Sequence, residues 1–409
     1  MLRGFANDTH YIRFLNQDLS CAENYPPLWD LLASAGKTVG IFGCLQSGLP
    51  SNAKNVLFHI PDTFASTYRT SPSRYESFQK FNLQQTQKNK AIANKINLLD
   101  GLGALKVFSN GLSMKTVVRV YSHLVKEKIE KSNKSLRPLM QAHLSFDVFK
   151  QCLSKHRPDY VAFFTNHVAG VMHRYWKYSF PEDFDLTVEQ LSESFHTQSI
   201  LKAMDIADEQ IGYLLRFAKN NNYELIVASS MGQEAIERGE YIPEILIENF
   251  GKLKDFVGFS GLAKQNMAMQ PDYVFEFDSR DSLAEFSKRV CAVTDVAGVP
   301  LFRQRYPPVG LTLNLSIARS KVMRSSPEVV YAGKQQHLNH AGLKLFTRDI
   351  GTGYHQPEGI VIWNGKLSDD PLARKEIDSR SFAPEILNSF QVSVPSYMHS
   401  FLLDKTIRA

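Results

Sequence analysis

Five short apolar runs, each too brief to be a helix, constrain this chain most. They are residues 37–43 (KTVGIFG), 55–60 (NVLFHI), 159–165 (DYVAFFT), 223–230 (YELIVASS) and 358–365 (EGIVIWNG). All are rich in β-branched or aromatic side chains with little polar alternation, the pattern of parallel-type strands buried on both faces. Amphipathic stretches lie between them. Residues 26–36 (PPLWDLLASAG) carry apolar Leu28, Leu31 and Leu32 and stop at Gly36, a residue suited to a left-handed helix end. Residues 185–222 form a longer amphipathic pattern that closes on a run of asparagines. Strand and helix in alternation imply an α/β sandwich with its functional groups at the carboxyl ends of the strands.

Residues 71–155 break this rhythm. They are rich in Lys and Gln, carry few strand signals, and include the helical pattern MKTVVRVYSHLVKEKIEKS. They read as a helical, Lys-rich cap inserted between a first part of the core, 1–70, and its remainder, 156–409. Within that remainder, residues 272–295 suggest a strand, a turn and a helix. Residues 311–318 (LTLNLSIA) alternate as expected of an edge strand.

At 409 residues the chain is long enough for one large domain with an insertion, or for two domains. Its 43% hydrophobic and 22% charged residues exclude global disorder. The net charge of +6 arises largely between Lys80 and Lys155, a local surface property that suits a solvated helical face or, as the alternative, an anionic partner. Cys21, Cys44, Cys152 and Cys291 are widely spaced with no CxxC pair, so a reduced compartment is expected and a thiolate metal site is not. The start, MLRGFANDTHYIRF, lacks the apolar core of a signal peptide, and no apolar run approaches the ~20 residues needed to span a bilayer. With Met1 as the true start, a cytoplasmic location is expected. No phosphate-binding loop, dinucleotide fingerprint, zinc finger or basic-aromatic nucleic-acid motif is present.

Chemistry concentrates after three of the strands. Residues 163–176 (FFTNHVAGVMHRYW) place His167 and His173 at a strand exit. Ser229 and Ser230 end the run at 223–230, and residues 351–359 (GTGYHQPEG) carry Tyr354 and His355. A serine at a strand-to-loop turn near two histidines suggests a nucleophile and base, although no Gly-x-Ser-x-Gly elbow surrounds it. Asp349, Glu234 and Glu358 are the carboxylates available to orient a histidine. Arg174 and Arg348 suit two-pronged recognition of phosphate, sulfate or carboxylate. Tyr354 and Trp363 offer aromatic surface, for a sugar or for the core.

These segments, together with residues 26–43 and 378–398, resemble the alkaline phosphatase superfamily, in particular its type I phosphodiesterase/nucleotide pyrophosphatase branch. The resemblance implies a three-layer α/β/α sandwich and two-metal phosphoryl or sulfuryl transfer. It also exposes departures. The acid of the Asp-x-x-x-His motif falls on Ala169 and its histidine on His173. The Asp-His of the next motif falls on Ser230 and Met231, and the histidine of the last falls on His355. A dinuclear site built from two imidazoles lacks the carboxylates that balance its charge. The resemblance therefore implies a metal-poor hydrolase or transferase on a phosphorylated or saccharide substrate, with Ser230, His173 and His355 as catalytic residues. His167, Arg174, Arg348 and Tyr354 would bind that substrate. The alternative is a catalytically inactive binding or partner protein. No cofactor is expected, or else a single divalent ion such as zinc at His173 and His355, with His167 as a third ligand by swinging in.

The family's first acidic ligand, its nucleophile and a central strand precede the helix that begins here near Pro27. Residues 1–25 match neither element. Removing a central strand leaves two rows of unpaired backbone groups, so either the natural chain is longer or another segment fills the slot.

Overall fold

The computed structural model describes residues 1–4, 6, 10–12, 19–48, 53–65, 67–86, 111–192, 194–238, 242–266, 268, 272–346, 351–364 and 376–398. The fold is mixed α/β. Among the described residues, its helices of seven residues or more are α1 (Leu28–Ser34), α2 (Glu76–Thr86), α3 (Met114–Ile129), α4 (Arg137–His156), α5 (His167–Ser179), α6 (Ser199–Asn221), α7 (Phe250–Phe256), α8 (Arg280–Cys291) and α9 (Phe382–Ser389). The strands that matter first are β1 (Val39–Phe42), β2 (Val56–Ile60) and β3 (Tyr160–Phe163), which form a parallel sheet in the order β2-β1-β3.

Helices cover both faces of this sheet, which explains why its strands lack polar alternation. On one side Val39 and Ile41 pack against Leu28, Trp29 and Leu32 of α1 and Ile386 and Leu387 of α9. On the other, Phe42, Phe58 and Ile60 meet Phe78 of α2 and Phe146, Phe149 and Leu153 of α4. Phe149 stacks on Phe163 with ring centroids 4.5 Å apart. Burying one such ring contributes about 1.5–3 kcal/mol. Within the Lys-rich stretch 71–155, then, α4 lies on the sheet as part of the core. Gly40 permits this packing, because a Cβ there would sit 2.4 Å from the Phe58 ring. Helix α1 ends as its composition predicts: Gly36 adopts φ +84°, and the Lys37 amide donates to the Leu32 carbonyl.

The fourth and fifth apolar runs are also strands, β4 (Leu225–Ser229) and, last in the chain, residues Ile360–Asn364, but they pair antiparallel with each other. That departs from the parallel expectation. The chain enters the later strand beside the carboxyl end of β4, where a Cβ on Gly359 would lie 1.9 Å from the Ser229 carbonyl oxygen. Arriving there, it can only run back along β4.

Between them, β5 (Gly232–Ala235), β6 (Glu244–Ile247), β7 (Ala263–Asn266), β8 (Asp272–Phe277), β9 (Thr294–Asp295), β10 (Phe302–Gln304), β11 (Thr312–Ile317), β12 (Glu328–Tyr331), β13 (Lys334–His337), β14 (Leu343–Phe346) and β15 (Gly353–Gln356) precede β16 (Ile360–Asn364). A second core gathers Phe275, Phe286, Leu313, Leu315 and Leu343 with side chains of α7 and α8. Its sheet runs β10-β11-β8-β7. Residues 311–318 are thus no edge. β11 is paired on both sides, and Thr312 and Asn314 are buried along with its leucines. Alternation there reflects two packed faces of different polarity. Among the described residues, no helix is long and apolar enough to cross a membrane.

Candidate functional site

The site is assembled where α5, β5 and β15 meet. α5 leaves the sheet directly after β3, and β5 follows β4 after a two-residue turn at Ser230 and Met231. β15 pairs antiparallel with β5 so that His355 lies opposite Gln233 and Tyr354 opposite Glu234. One face of α5 is taken by the core: His167, Val171 and Tyr175, spaced four apart, are buried against α4 and α6. His173 is left on the far side of the helix, toward β15.

Backbone meets backbone at that contact. A Cβ on Gly351 would stand 2.3 Å from the His173 carbonyl oxygen, and one on Gly353 would stand 2.3 Å from that of Met172. Only residues without a side chain allow such an approach. Between the two glycines, buried Thr352 reaches into the helix. Its hydroxyl accepts from the Lys177 amide at 3.1 Å and donates to the Arg174 carbonyl at 3.4 Å. This intrusion accounts for the break in helical geometry at Tyr175, φ −119° and ψ 20°.

The clamp brings His173 and His355 together with their Nε2 atoms 3.2 Å apart. Their outer nitrogens are tied down: His173 Nδ1 to the Gly353 carbonyl at 3.1 Å, and His355 Nδ1 to Gln233 Nε2 at 2.7 Å. The tautomers follow from that network. A carbonyl oxygen only accepts, so His173 Nδ1 carries the proton and its Nε2 is bare. His355 therefore donates from Nε2 and accepts from the Gln233 amide at Nδ1. Burial holds His173 below the usual histidine range, with the nearby His355, Arg238 and Arg174 adding to the effect against the Gly353 hydrogen bond. His173 is thereby kept neutral near pH 7, within the field of two guanidinium groups. Arg238 donates to the Gly351 carbonyl at 2.9 Å and lies over the exposed Tyr354 ring at 5.3 Å. The Gln233 carbonyl oxygen is buried with no hydrogen-bond partner among the described residues.

The other sequence candidates fall elsewhere. His167 is buried, hydrogen-bonded to Thr165 Oγ1 at 2.7 Å and the Ala203 carbonyl at 3.1 Å. Burial pushes its pKa down to about 4, against the Ala203 contact; it is a satisfied core histidine. Ser230 is exposed, and among the described residues no hydrogen bond joins it to His173 or His355. Glu234 and Glu358 do not bond the pair either. Arg174 is half-buried on α5 beside His173. Trp363 packs toward the α1–α9 core and donates to Glu224. Arg348 and Asp349 lie outside the described residues.

Two imidazole nitrogens 3.2 Å apart match one edge of a tetrahedral zinc shell with bonds of about 2.0–2.1 Å. Among the described residues, however, no group of three His, Cys, Asp or Glu side chains comes together. Those residues do not fit the dinuclear centre that the family resemblance implies. Sequence reasoning missed Gln233, Arg238 and Thr352, which enter only through the β5–β15 register and the α5 clamp. It also missed a buried hydrogen bond, 2.9 Å, between Ser47 Oγ, beyond the end of β1, and His59 Nε2 within β2. No family model matches the chain, and neither a curated protein nor a solved structure is significantly similar to it.

Proposed function

We propose that this is a cytoplasmic protein with a three-layer sandwich of the alkaline phosphatase-like type, related to type I phosphodiesterases, whose His173–His355 pocket binds a phosphorylated small molecule such as a sugar phosphate. The observation that carries this reading is the mutual hydrogen bond of the two imidazoles, each anchored from behind. On arrival of a phosphate, one proton taken up at His173 Nε2 turns the pair into two converging N–H donors. Arg174 and Arg238, already close enough to depress His173, supply the remaining charge. The unpartnered Gln233 oxygen offers an acceptor for a ligand hydroxyl, which favours a sugar-bearing ester over bare phosphate. Four free thiols agree with a reducing, cytoplasmic setting.

Calorimetry with glucose phosphate tests the reading. Affinity should rise as pH falls from 8 to 6, by up to about tenfold per unit if one proton is taken up. His355→Ala should weaken binding at least tenfold, and His173→Ala should in addition flatten the pH dependence. Binding that ignores both pH and His355 would contradict the proposal.

A second reading, a hydrolase or transferase, rests on the pinned Nδ1 of His173. That proton leaves Nε2 as an acceptor oriented like a general base. Turnover of a bis-aryl phosphate that persists with chelator and disappears in His173→Ala would favour this reading. Loss with chelator would bring a metal back into the account.

A further inference from the structure

α3 is built inside out. A helix on a protein surface ordinarily buries its apolar face, yet the buried residues of α3 are Thr116 and His123. Polar contacts hold it to the body. Arg119 makes a two-pronged bond to Glu209 of α6, at 2.7 and 2.9 Å. Glu127 accepts twice from Arg137 of α4, both at 2.8 Å. Just before the helix, the Ser113 amide and hydroxyl both donate to Asp147 at 2.8 Å. Among the described residues, none of the apolar side chains of α3 joins a hydrophobic cluster.

Those apolar side chains face outward instead. Met114 (75% exposed), Val118 (57%), Tyr121 (69%), Val125 (39%) and Ile129 (82%) follow one another at steps of four, three, four and four. At about 100° per residue they share one arc of about 80° along the whole helix, a stripe about 22 Å long. Single exposed apolar residues are ordinary; a continuous stripe marks a surface that something covers.

Charge identifies the occupant. Lys126, Lys128 and Lys131 are exposed beside the stripe, and among the described residues none of them has a carboxylate partner. Residues 113–134 hold five Lys and one Arg against two Glu. One of those two, Glu127, is already taken by Arg137. A second copy of α3 laid on the first would bring these cations together, which disfavours self-pairing. A surface of negative headgroups above a hydrocarbon interior satisfies lysines and stripe at once. Lysine stems can lie along the apolar arc while their ammonium groups stay among the headgroups.

We propose that α3 is a membrane-docking helix, lying in the plane of an anionic bilayer surface with its Met114–Ile129 stripe inserted at the headgroup boundary. The inverted polarity then has a cause: the inward polar contacts keep α3 on the protein while its outer face enters lipid. None of the groups around His173 and His355 lies on α3, so docking and binding at that pair are separable.

The test is co-flotation of the 409-residue protein with lipid vesicles. Vesicles of equal parts phosphatidylserine and phosphatidylcholine should carry it, and pure phosphatidylcholine at least tenfold less. Val118→Asp combined with Tyr121→Asp should reduce flotation at least tenfold and leave the urea midpoint and glucose phosphate affinity unchanged. Lys126→Gln combined with Lys128→Gln should weaken flotation by about tenfold or more, since each lysine near an anionic surface strengthens binding about fivefold. No flotation, equal flotation on both lipids, or full flotation of the double Asp variant would each overturn the proposal. A urea midpoint lowered by the Asp pair would overturn it by showing the stripe already packed against this chain. A dimer that the same pair dissociates would overturn it in favour of a second copy.

Discussion

Lowering the pH from 7 to 4 should remove most of the folding stability, chiefly through buried histidines. Burial pushes both His59 and His167 down to about 4 in the folded protein. In the unfolded chain both titrate near 6.5, so as pH falls the unfolded state takes up protons first. The stabilising effect of keeping each ring neutral is complete above the unfolded value. It is lost as pH descends through the window from about 6.5 to about 4. For a fully buried imidazole such a shift corresponds to roughly 3 kcal/mol, so the two together approach the whole stability of an ordinary domain. His143, pushed down to about 4 by burial and by Arg119, adds in the same direction. Glu209 works in a lower window, because its Arg119 hydrogen bond holds it down to about 2 and its contribution fades only as pH falls below its ordinary value. Urea midpoints measured from pH 8 to pH 4 should therefore fall chiefly below 6.5. His167→Gln should reduce the pH slope by close to one proton. A flat profile down to pH 4.5 would show that these histidines are not buried neutral.

Gly353→Ala should dismantle the site through the backbone alone. The added methyl group would lie 2.3 Å from the Met172 carbonyl oxygen and 2.9 Å from its carbon, and neither is the movable end of a side chain. α5 has to withdraw from β15, which carries His173 away from His355 and breaks the Gly353 carbonyl contact to His173 Nδ1. Overpacking of this kind costs about 1–3 kcal/mol. Glucose phosphate affinity should drop further than in His355→Ala, since both imidazoles lose their alignment. Gly170→Ala, in the same helix with nothing within 4 Å, is the control; it should stabilise by up to about 1 kcal/mol and leave binding intact. Chemical denaturation and calorimetry on both variants check the pair of outcomes. A Gly353→Ala protein that binds normally would mean that the α5–β15 contact does not position the site.

Local chemistry made part of this legible beforehand. Val39–Phe42, Val56–Ile60 and Tyr160–Phe163 are apolar on both faces because helices cover both faces, and that pattern is written in single residues. The caps were equally readable, since Gly36 and the closing asparagines do locally what their side chains favour; Asn222 ends α6 at φ 57°. Direction and register were not. The β4 and β16 runs look like any buried strand, and only the approach of Gly359 to Ser229 sets them antiparallel. The convergence of His173 and His355, 182 residues apart, was expected from motif order alone. Which side chain would stand behind them was not, because Gln233 faces His355 through a ladder whose register no local signal fixes. His167, only six residues from His173, shows the reverse. Helical phase puts it on the opposite face, so proximity in the chain misled.

His173, neutral and hydrogen-bonded to His355, waits for an anion. Imidazole nitrogen resonances followed through a pH titration, with and without glucose phosphate, test it most directly. His173 should titrate below 6.5 in the free protein, with its proton on Nδ1, and at higher pH when the ligand binds. A His173 that is already protonated at pH 7, or whose titration is the same with and without ligand, would contradict it.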